Sequence, residues 1–216
     1  AESGLKPEIK KGFEYYDCWV DDARLVVNNA IEASQLGAQI KTKVRCHSAH
    51  YAEDAHHWII SCTNLDTGSS FEVTAKHIIN AAGPWMRRLI DSGVPQLKAT
   101  KGIRLIKGSH IIVPRVPNGD SAYILQNEDK RIVFVIPYLN KYSMIGTTDV
   151  EYQGDPRAVE INDDERAYLL NVVNNHFIKT ISRADIVSEF SGVRPLCDDE
   201  SNSPQAVTRD YTLSLD

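Results

Sequence analysis

Two arginines, Arg194 and Arg209, are the residues of this sequence best suited to binding a small anion. They lie fifteen positions apart in the segment SGVRPLCDDESNSPQAVTRDY, residues 191–211. A guanidinium is always charged and presents a planar fork of donors that matches phosphate or carboxylate. Two converging arginines would therefore suit a small anionic substrate. The alternative is that both are surface residues paired with Asp198 and Asp210.

The residues around Arg194 predict that it lies at the end of a strand. Phe190 and Val193 are apolar, whereas Pro195 fixes φ and cannot donate to a strand ladder. The acidic and polar run that follows is typical of a solvated loop, and residues 206–215 return to a strand-like pattern. If this loop folds back, the two guanidiniums converge.

Three short motifs combine small residues with polar ones at predicted strand ends, where backbone can approach a ligand. Each also has an ordinary interpretation: a strand-to-helix turn with Pro84 at the first helical position, a structural histidine at His110, and a hairpin exit. The motifs are NAAGPW at residues 80–85, KGSH at 107–110 and GTTD at 146–149.

The hydrophobic pattern predicts the elements that must position these motifs. Residues 1–12 are polar and are expected to be a loosely held lead-in. The first half then predicts a helix at 22–36, strands at 38–44, 58–65 and 71–74, a short buried strand at 77–80, and a helix through Met86, Leu89 and Ile90. A boundary is predicted near residues 92–101, where Gly, Pro, Lys and Thr accumulate.

The second half predicts one antiparallel sheet and one long helix. The helix opens at residues 162–165, whose carboxylates suit a helix N-terminus. The predicted strands are residues 103–106, 110–114, 122–126, 131–138, 142–147 and 186–191.

Composition excludes several classes of function. The 216 residues carry a net charge of −5, and no run of Lys or Arg suggests nucleic-acid binding. No apolar stretch approaches the roughly 18–20 residues that span a bilayer. The four cysteines are widely spaced and the histidines lack ligand spacing, so no metal site is expected, and a reduced, cytosolic compartment is favoured. The sequence also lacks GxSxG and P-loop motifs.

Taken in order, several long strings resemble the FAD-dependent, quinone-linked aerobic glycerol-3-phosphate dehydrogenases. The resemblance extends from about residue 12 to residue 215 and is weakest between 46 and 74. The strings that carry it are FEYYDCWVDDAR at 13–24, NAAGPW at 80–85, GIRLIKGSHIIVPR at 102–115, AYILQNEDKRIVFVIP at 122–137, IGTTDVEY at 145–152, and residues 191–211.

The resemblance implies an α+β fold of the D-amino-acid-oxidase-like flavoproteins. Residues 1–98 would form part of the FAD-binding domain, and residues 99–216 would form a substrate domain built on an antiparallel sheet. It also implies the site residues. Arg194 and Arg209 would bind the substrate phosphate, Thr148 would also bind the substrate, and His110 would be the base beside the reacting carbon. The residues expected against FAD are Val44, Ala81, Ala82, Gly83, Trp85, Lys107 and Gly108.

The implied reaction is oxidation of glycerol 3-phosphate to dihydroxyacetone phosphate. Hydride leaves C2 for the flavin while the C2 hydroxyl loses a proton, so a base and a nearby cation are required. Electrons would then pass to quinone, which implies a cytoplasmic protein attached peripherally to the inner membrane. Two alternatives are an oxidase that reduces oxygen to peroxide and a non-catalytic anion-binding module.

The GxGxxG fingerprint that binds the FAD pyrophosphate is missing from this sequence, as is a glycine-rich C-terminal segment. We therefore expect the chain to be an internal piece of a longer protein. Alone, it should bind FAD weakly or not at all, which the absorbance spectrum of the purified chain would test.

Overall fold

The computed structural model describes residues 4–94, 96 and 102–198. The chain divides into two compact units. The first, Gly12–Ala99, is called the meander unit below. The second, the sheet unit, combines Ala1–Lys11 with Thr100–Asp216.

The meander unit begins with helix α1, Asp22–Gln35. Asp21 caps it, accepting a hydrogen bond from the amide of Arg24 at 3.0 Å. The helix predicted at residues 22–36 is thus confirmed, although none of its residues is buried within the described part of the chain.

Three antiparallel strands follow in the order β1-β2-β3: Val44–Ala52, His57–Asn64 and Ser70–Ala75. The predicted second and third strands of this meander are confirmed. The strand predicted at residues 38–44 is wrong, because the amide of Ala38 still bonds back to the carbonyl of Ala33 (2.9 Å) and Lys43 has a φ of 55°. An extended strand cannot contain that backbone angle, so pairing begins only at Val44.

The strand predicted at residues 77–80 is also wrong. Ile79 is 90% exposed, and the side chain of Asn80 bonds to the amide of Ala82 (3.2 Å) and the carbonyl of Met86 (3.1 Å). Those bonds close a turn instead of a ladder. The helix predicted next is replaced by three short turns: a 3-10 turn at Gly83–Trp85, α2 at Met86–Arg88 and a π turn at Leu89–Gly93.

The sheet unit is built around one long strand, β4, Ile103–Pro114. It was predicted as two strands, yet Lys107, Gly108 and Ser109 lie inside it, so KGSH is not a strand-end motif. The predicted antiparallel sheet is confirmed, with strand order β5-β6-β7-β4-β8 and β9 paired to β4. The remaining strands are Tyr123–Gln126 (β5), Ile132–Tyr138 (β6), Tyr142–Gly146 (β7), Val150–Glu151 (β8) and Ser188–Cys197 (β9).

The core of the sheet unit lies between one face of the sheet and helix α3, Asp163–His176. Asn162 and Glu165 form a capping box at its N-terminus, as the predicted helix start suggested. Because side chains alternate along a strand, the sheet has a helix-side face and a second face. The buried residues between sheet and helix include Ile111, Val113, Val133, Val135, Ile145, Leu169, Val173 and Phe177.

Two residues near the start of the chain bond to the sheet unit. Leu5 forms a β-bridge with Phe177, and the amide of Lys6 donates to the carbonyl of His176 at 2.8 Å. These backbone bonds attach Leu5 and Lys6 to the sheet unit, so this part of the chain is not the loosely held lead-in that its polarity predicted.

Candidate functional site

The candidate site is the second face of the sheet, where β4 and β9 lie side by side. His110 pairs with Phe190, Gly108 with Gly192 and Ile106 with Arg194. Directly opposed residues project to the same face. His110 and Arg194 therefore flank a pair of glycines that carry no side chains.

Arg194 does not lie at the end of a strand, as Pro195 had predicted. Strand β9 continues to Cys197, and Pro195 pairs with Leu105 inside it. In the described part of the chain β9 pairs only with β4, so it is an edge strand, where a proline need not donate to a neighbour. Arg194 consequently projects from the middle of a ladder, which fixes its position more firmly than a loop would.

His110 is held in place by its neighbours on both sides. Its ring stacks on Phe190, with centroids 4.8 Å apart and planes inclined by 4°. On the other side, a Cβ added to Gly146 would overlap the imidazole ring. Gly146 is therefore required because the ring of His110 occupies the space of its missing side chain.

Gly192 leaves room between His110 and Arg194. No described atom lies within 4 Å of the position that a Cβ on Gly192 would take. A Cβ on Gly108 would overlap Oγ1 of Thr147 and lie 3.6 Å from Nη2 of Arg194, so the Thr147 hydroxyl covers this glycine. A small anionic molecule can thus approach the bare backbone at Gly192, on the face from which the guanidinium projects.

Arg194 is oriented by a carboxylate. Its Nη1 donates to Oδ1 of Asp149 at 2.8 Å. The Asp149 side chain is only 10% exposed, whereas that of Arg194 is 40% exposed. The arginine is therefore held at one end and still reaches solvent, as a residue that binds a ligand should be. In this ion pair the partner of Arg194 is Asp149 and not Asp198, the partner that the alternative interpretation had named.

The imidazole of His110 is neutral at ordinary pH. Burial, followed by the positive charge of Arg194, lowers the pKa of His110 to about 4. Among the described residues, the buried Nδ1 of His110 has no hydrogen-bond partner. A buried polar atom without a partner is costly, so it marks a position where a ligand can bond. A neutral imidazole placed there can accept a proton.

The low pKa of His110 should make stability depend on pH. Since the folded-state pKa is about 4, below the ordinary value of 6.5, the unfolded state binds a proton first as pH falls through that window. His110 should therefore lower the free energy of unfolding by about 2 kcal/mol between pH 7 and pH 5. Urea unfolding of the wild type and His110→Asn at both pH values would measure this difference. Equal pH dependence in the two proteins would contradict it.

Lys107 and Thr148 lie on the helix-side face, opposite His110 and Arg194. Lys107 is 6% exposed, and its Nζ lies 2.6 Å from Oε2 of Glu165. Thr148 is fully buried and donates to Oε1 of Glu165 at 2.8 Å. Their predicted roles in cofactor and substrate binding stay predictions, but the Lys107 ammonium and the Thr148 hydroxyl already bond to Glu165.

Glu165 is the centre of a buried polar network that the sequence did not reveal. Its Oε1 also accepts from Oγ of Ser109 at 2.9 Å, and Ser109 Oγ lies 2.8 Å from Oγ of Ser191. Burial raises the pKa of Glu165, but hydrogen bonds from Lys107, Asn162, Thr148 and Ser109 outweigh it, so the pKa lies below its ordinary value. The polar positions 107 and 109 at a spacing of two were the available signal for a buried polar partner.

The remaining predicted cofactor residues lie in the meander unit. Val44 is the first residue of β1, Ala81 and Ala82 are in the turn closed by Asn80, and Trp85 is 37% exposed. Gly83 has a φ of 55°, and no described atom lies within 4 Å of its missing Cβ. This run of small residues leaves backbone open to a bound group, which fits the predicted contact with FAD. Arg209 lies outside the described residues.

The family of the chain follows from comparison with known proteins. Residues 1–210 match the family described as FAD dependent oxidoreductase. The chain therefore belongs to the FAD-dependent oxidoreductases and has their fold, as the sequence predicted. FAD is the cofactor of this family.

Individual relatives are more specific. The chain is 58% identical over its whole length to the aerobic glycerol-3-phosphate dehydrogenase of Escherichia coli K12, and spans 42% of that protein. It is 46% identical over 97% of its length to the D-erythritol 1-phosphate dehydrogenase of Brucella abortus, and spans 41% of it. A solved glycerol-3-phosphate dehydrogenase from Bacillus halodurans complexed with FAD is 28% identical, with a TM-score of 0.73 over 84% of this chain and 36% of that one.

Proposed function

We propose that the protein catalyses FAD-dependent oxidation of sn-glycerol 3-phosphate to dihydroxyacetone phosphate. The observation that carries this proposal is the placement of His110, with its unpartnered Nδ1, and Arg194 on either side of the glycine pair. The names of the E. coli and B. halodurans relatives support the choice of substrate.

Oxidation of a secondary alcohol removes a proton from oxygen and a hydride from carbon. Bound FAD supplies the hydride acceptor. His110 is neutral at pH 7, and among the described residues its buried Nδ1 has no hydrogen-bond partner, so the imidazole can accept the hydroxyl proton. Arg194, oriented by Asp149, binds the phosphate and stabilises negative charge that develops on the substrate. Arg209 is proposed as the second phosphate ligand.

The cofactor residues follow from the open backbone of the meander unit and from β4. Val44, Ala81, Ala82, Gly83 and Trp85 would contact FAD, together with the backbone at Lys107 and Gly108. The Lys107 side chain would not take part, since its ammonium bonds to Glu165 and to the carbonyl of Glu160.

Quinone is proposed as the electron acceptor, because the E. coli relative is an aerobic dehydrogenase. Quinones are dissolved in the membrane, so the protein would attach peripherally to the cytoplasmic side of the inner membrane. Along the described residues, no helix combines the length and the apolar character needed to cross a bilayer.

The experiment that tests this function is an assay of the full-length, FAD-loaded protein. Glycerol 3-phosphate should reduce a soluble quinone analogue, and His110→Asn should lower kcat by about 10²- to 10⁴-fold, as expected for loss of a general base. Peroxide production without quinone reduction would show that the protein is an oxidase and not a dehydrogenase. Binding of glycerol 3-phosphate without turnover would indicate an anion-binding module. Faster turnover of erythritol 1-phosphate would change the substrate to a longer polyol phosphate.

A further inference from the structure

Cys46 and Cys62 lie opposite each other on neighbouring strands of the meander unit. They are direct register partners in the antiparallel pair β1 and β2. Opposed residues in such a pair have Cα atoms roughly 4.5–5.5 Å apart and project to the same face. A disulfide requires a Cα separation of about 4.4–6.8 Å. The two strands therefore already place the cysteines at the separation that a disulfide needs.

The two thiols also interact with each other and differ in access to solvent. Burial raises the pKa of the Cys46 thiol, and the charge and hydrogen bonding of the Cys62 thiol raise it further. Cys46 is exposed, whereas Cys62 is buried, with 8% of its surface accessible. An oxidant in solution can therefore reach Cys46, and Cys62 lies beside it on the neighbouring strand.

We propose that Cys46 and Cys62 are a thiol–disulfide modification site that hydrogen peroxide oxidises reversibly. The Cys46 thiolate attacks one peroxide oxygen and the O–O bond breaks, which leaves a sulfenic acid on Cys46; the departing hydroxide takes up the proton that the thiol had lost and becomes water. The Cys62 sulfur then attacks the Cys46 sulfur, the S–O bond breaks, and a second water carries away the proton of Cys62. Two thiols are oxidised to one disulfide, and one peroxide is reduced to two waters.

The raised pKa of Cys46 sets the rate of this reaction. Because the thiolate is the reactive form, oxidation should be slow at neutral pH and should accelerate about tenfold per pH unit until the pKa is reached. Because Cys46 is an exposed residue, the disulfide should be accessible to a reducing thiol, and the modification should be reversible.

Peptide mapping of the full-length protein tests the proposal. The protein is reduced, treated with hydrogen peroxide at pH 8, alkylated, and digested with a protease that cleaves after glutamate. Glu53 lies between the two cysteines, so a disulfide would join two otherwise separate peptides. We expect these joined peptides after oxidation, with loss of two hydrogen atoms, and their separation by dithiothreitol.

Matched variants identify the partner. Cys46→Ser should abolish the joined peptides, and Cys62→Ala should leave Cys46 as a sulfenic or sulfinic acid, whereas Cys18→Ser should leave the disulfide unchanged. A disulfide from Cys46 to any cysteine other than Cys62, or oxidation of Cys46 to sulfinic acid without a disulfide in the wild type, would overturn the proposal. None of these outcomes depends on the proposed dehydrogenase activity.

Discussion

Glu165→Leu is expected to lower the free energy of unfolding by about 3–5 kcal/mol, the cost of removing one partner from a buried ion pair. Lys107 and Glu165 are 8% and 5% exposed at their side chains, and their charged atoms lie 2.6 Å apart. The substitution leaves the ammonium of Lys107 buried without a carboxylate. It also removes the acceptor of the Ser109 and Thr148 hydroxyls. Urea unfolding at pH 7 would measure the loss.

The double variant Lys107→Met, Glu165→Leu is the decisive comparison. Because it removes both charges and replaces them with apolar side chains of similar size, it should recover most of the stability lost in Glu165→Leu. Asp164→Ala is the matched control, since Asp164 is an exposed carboxylate in the same helical turn, and it should cost less than about 1 kcal/mol. If the double variant is no more stable than Glu165→Leu, the ion pair is not the source of the effect.

This network connects the three segments that carry the candidate site. Ser109 precedes His110 in β4, Thr148 precedes Asp149, and Ser191 follows Phe190 in β9. Glu165 bonds to the first two of these residues directly and to Ser191 through Ser109. The geometry of the second face is thus determined by hydrogen bonds beneath it, on the helix side of the sheet.

Local patterns predicted most of the fold because they depend on neighbouring residues. Helix α1 and helix α3 were recognised from a capping residue followed by apolar residues at helical spacing, and the antiparallel strands from short apolar runs between turn residues. These signals lie within a single element. They predicted the elements well and their pairing only in outline.

The errors came from positions where a distant residue decides the outcome. Polar residues at Lys107 and Ser109 divided β4 into two predicted strands, yet both are accommodated by Glu165, more than fifty positions later. Pro195 predicted a strand end, but β9 lies at an edge of the sheet, where a proline is tolerated. Neither sheet order nor the partner of a buried lysine can be read from hydrophobic periodicity.

For the site, residue types were predicted and their geometry was not. His110 and Arg194 were singled out from their motifs and from the resemblance, but the facing pair Gly108 and Gly192 depends on the register of β4 against β9. That register also determines that Phe190 stacks on His110. The space between base and cation is therefore a property of strand pairing.

Arg194→Ala in the full-length protein should lower kcat/KM for glycerol 3-phosphate by roughly 30- to 4,000-fold. Truncating one partner of a hydrogen-bonded charge pair costs about 2–5 kcal/mol, and each 1.4 kcal/mol is a factor of ten. Loss of phosphate binding should raise KM, because that binding is common to the ground state and the transition state, and loss of the stabilisation of developing charge should lower kcat. Steady-state kinetics at several substrate concentrations would separate the two parameters.

Two further variants show whether the arrangement or only the charge of Arg194 matters. Arg194→Lys keeps the charge but loses the planar fork, so its kcat/KM should lie between those of the wild type and Arg194→Ala. Arg157→Ala is the control, since Arg157 pairs with Asp155 and its side chain is 58% exposed, and it should retain wild-type kinetics. A wild-type KM in Arg194→Ala would show that Arg194 does not bind the phosphate.

Asp149→Asn separates the orientation of Arg194 from its charge, because Asp149 holds one end of the guanidinium. The substitution keeps Arg194 positive but weakens the bond that orients it. KM should therefore rise by a smaller factor than in Arg194→Ala.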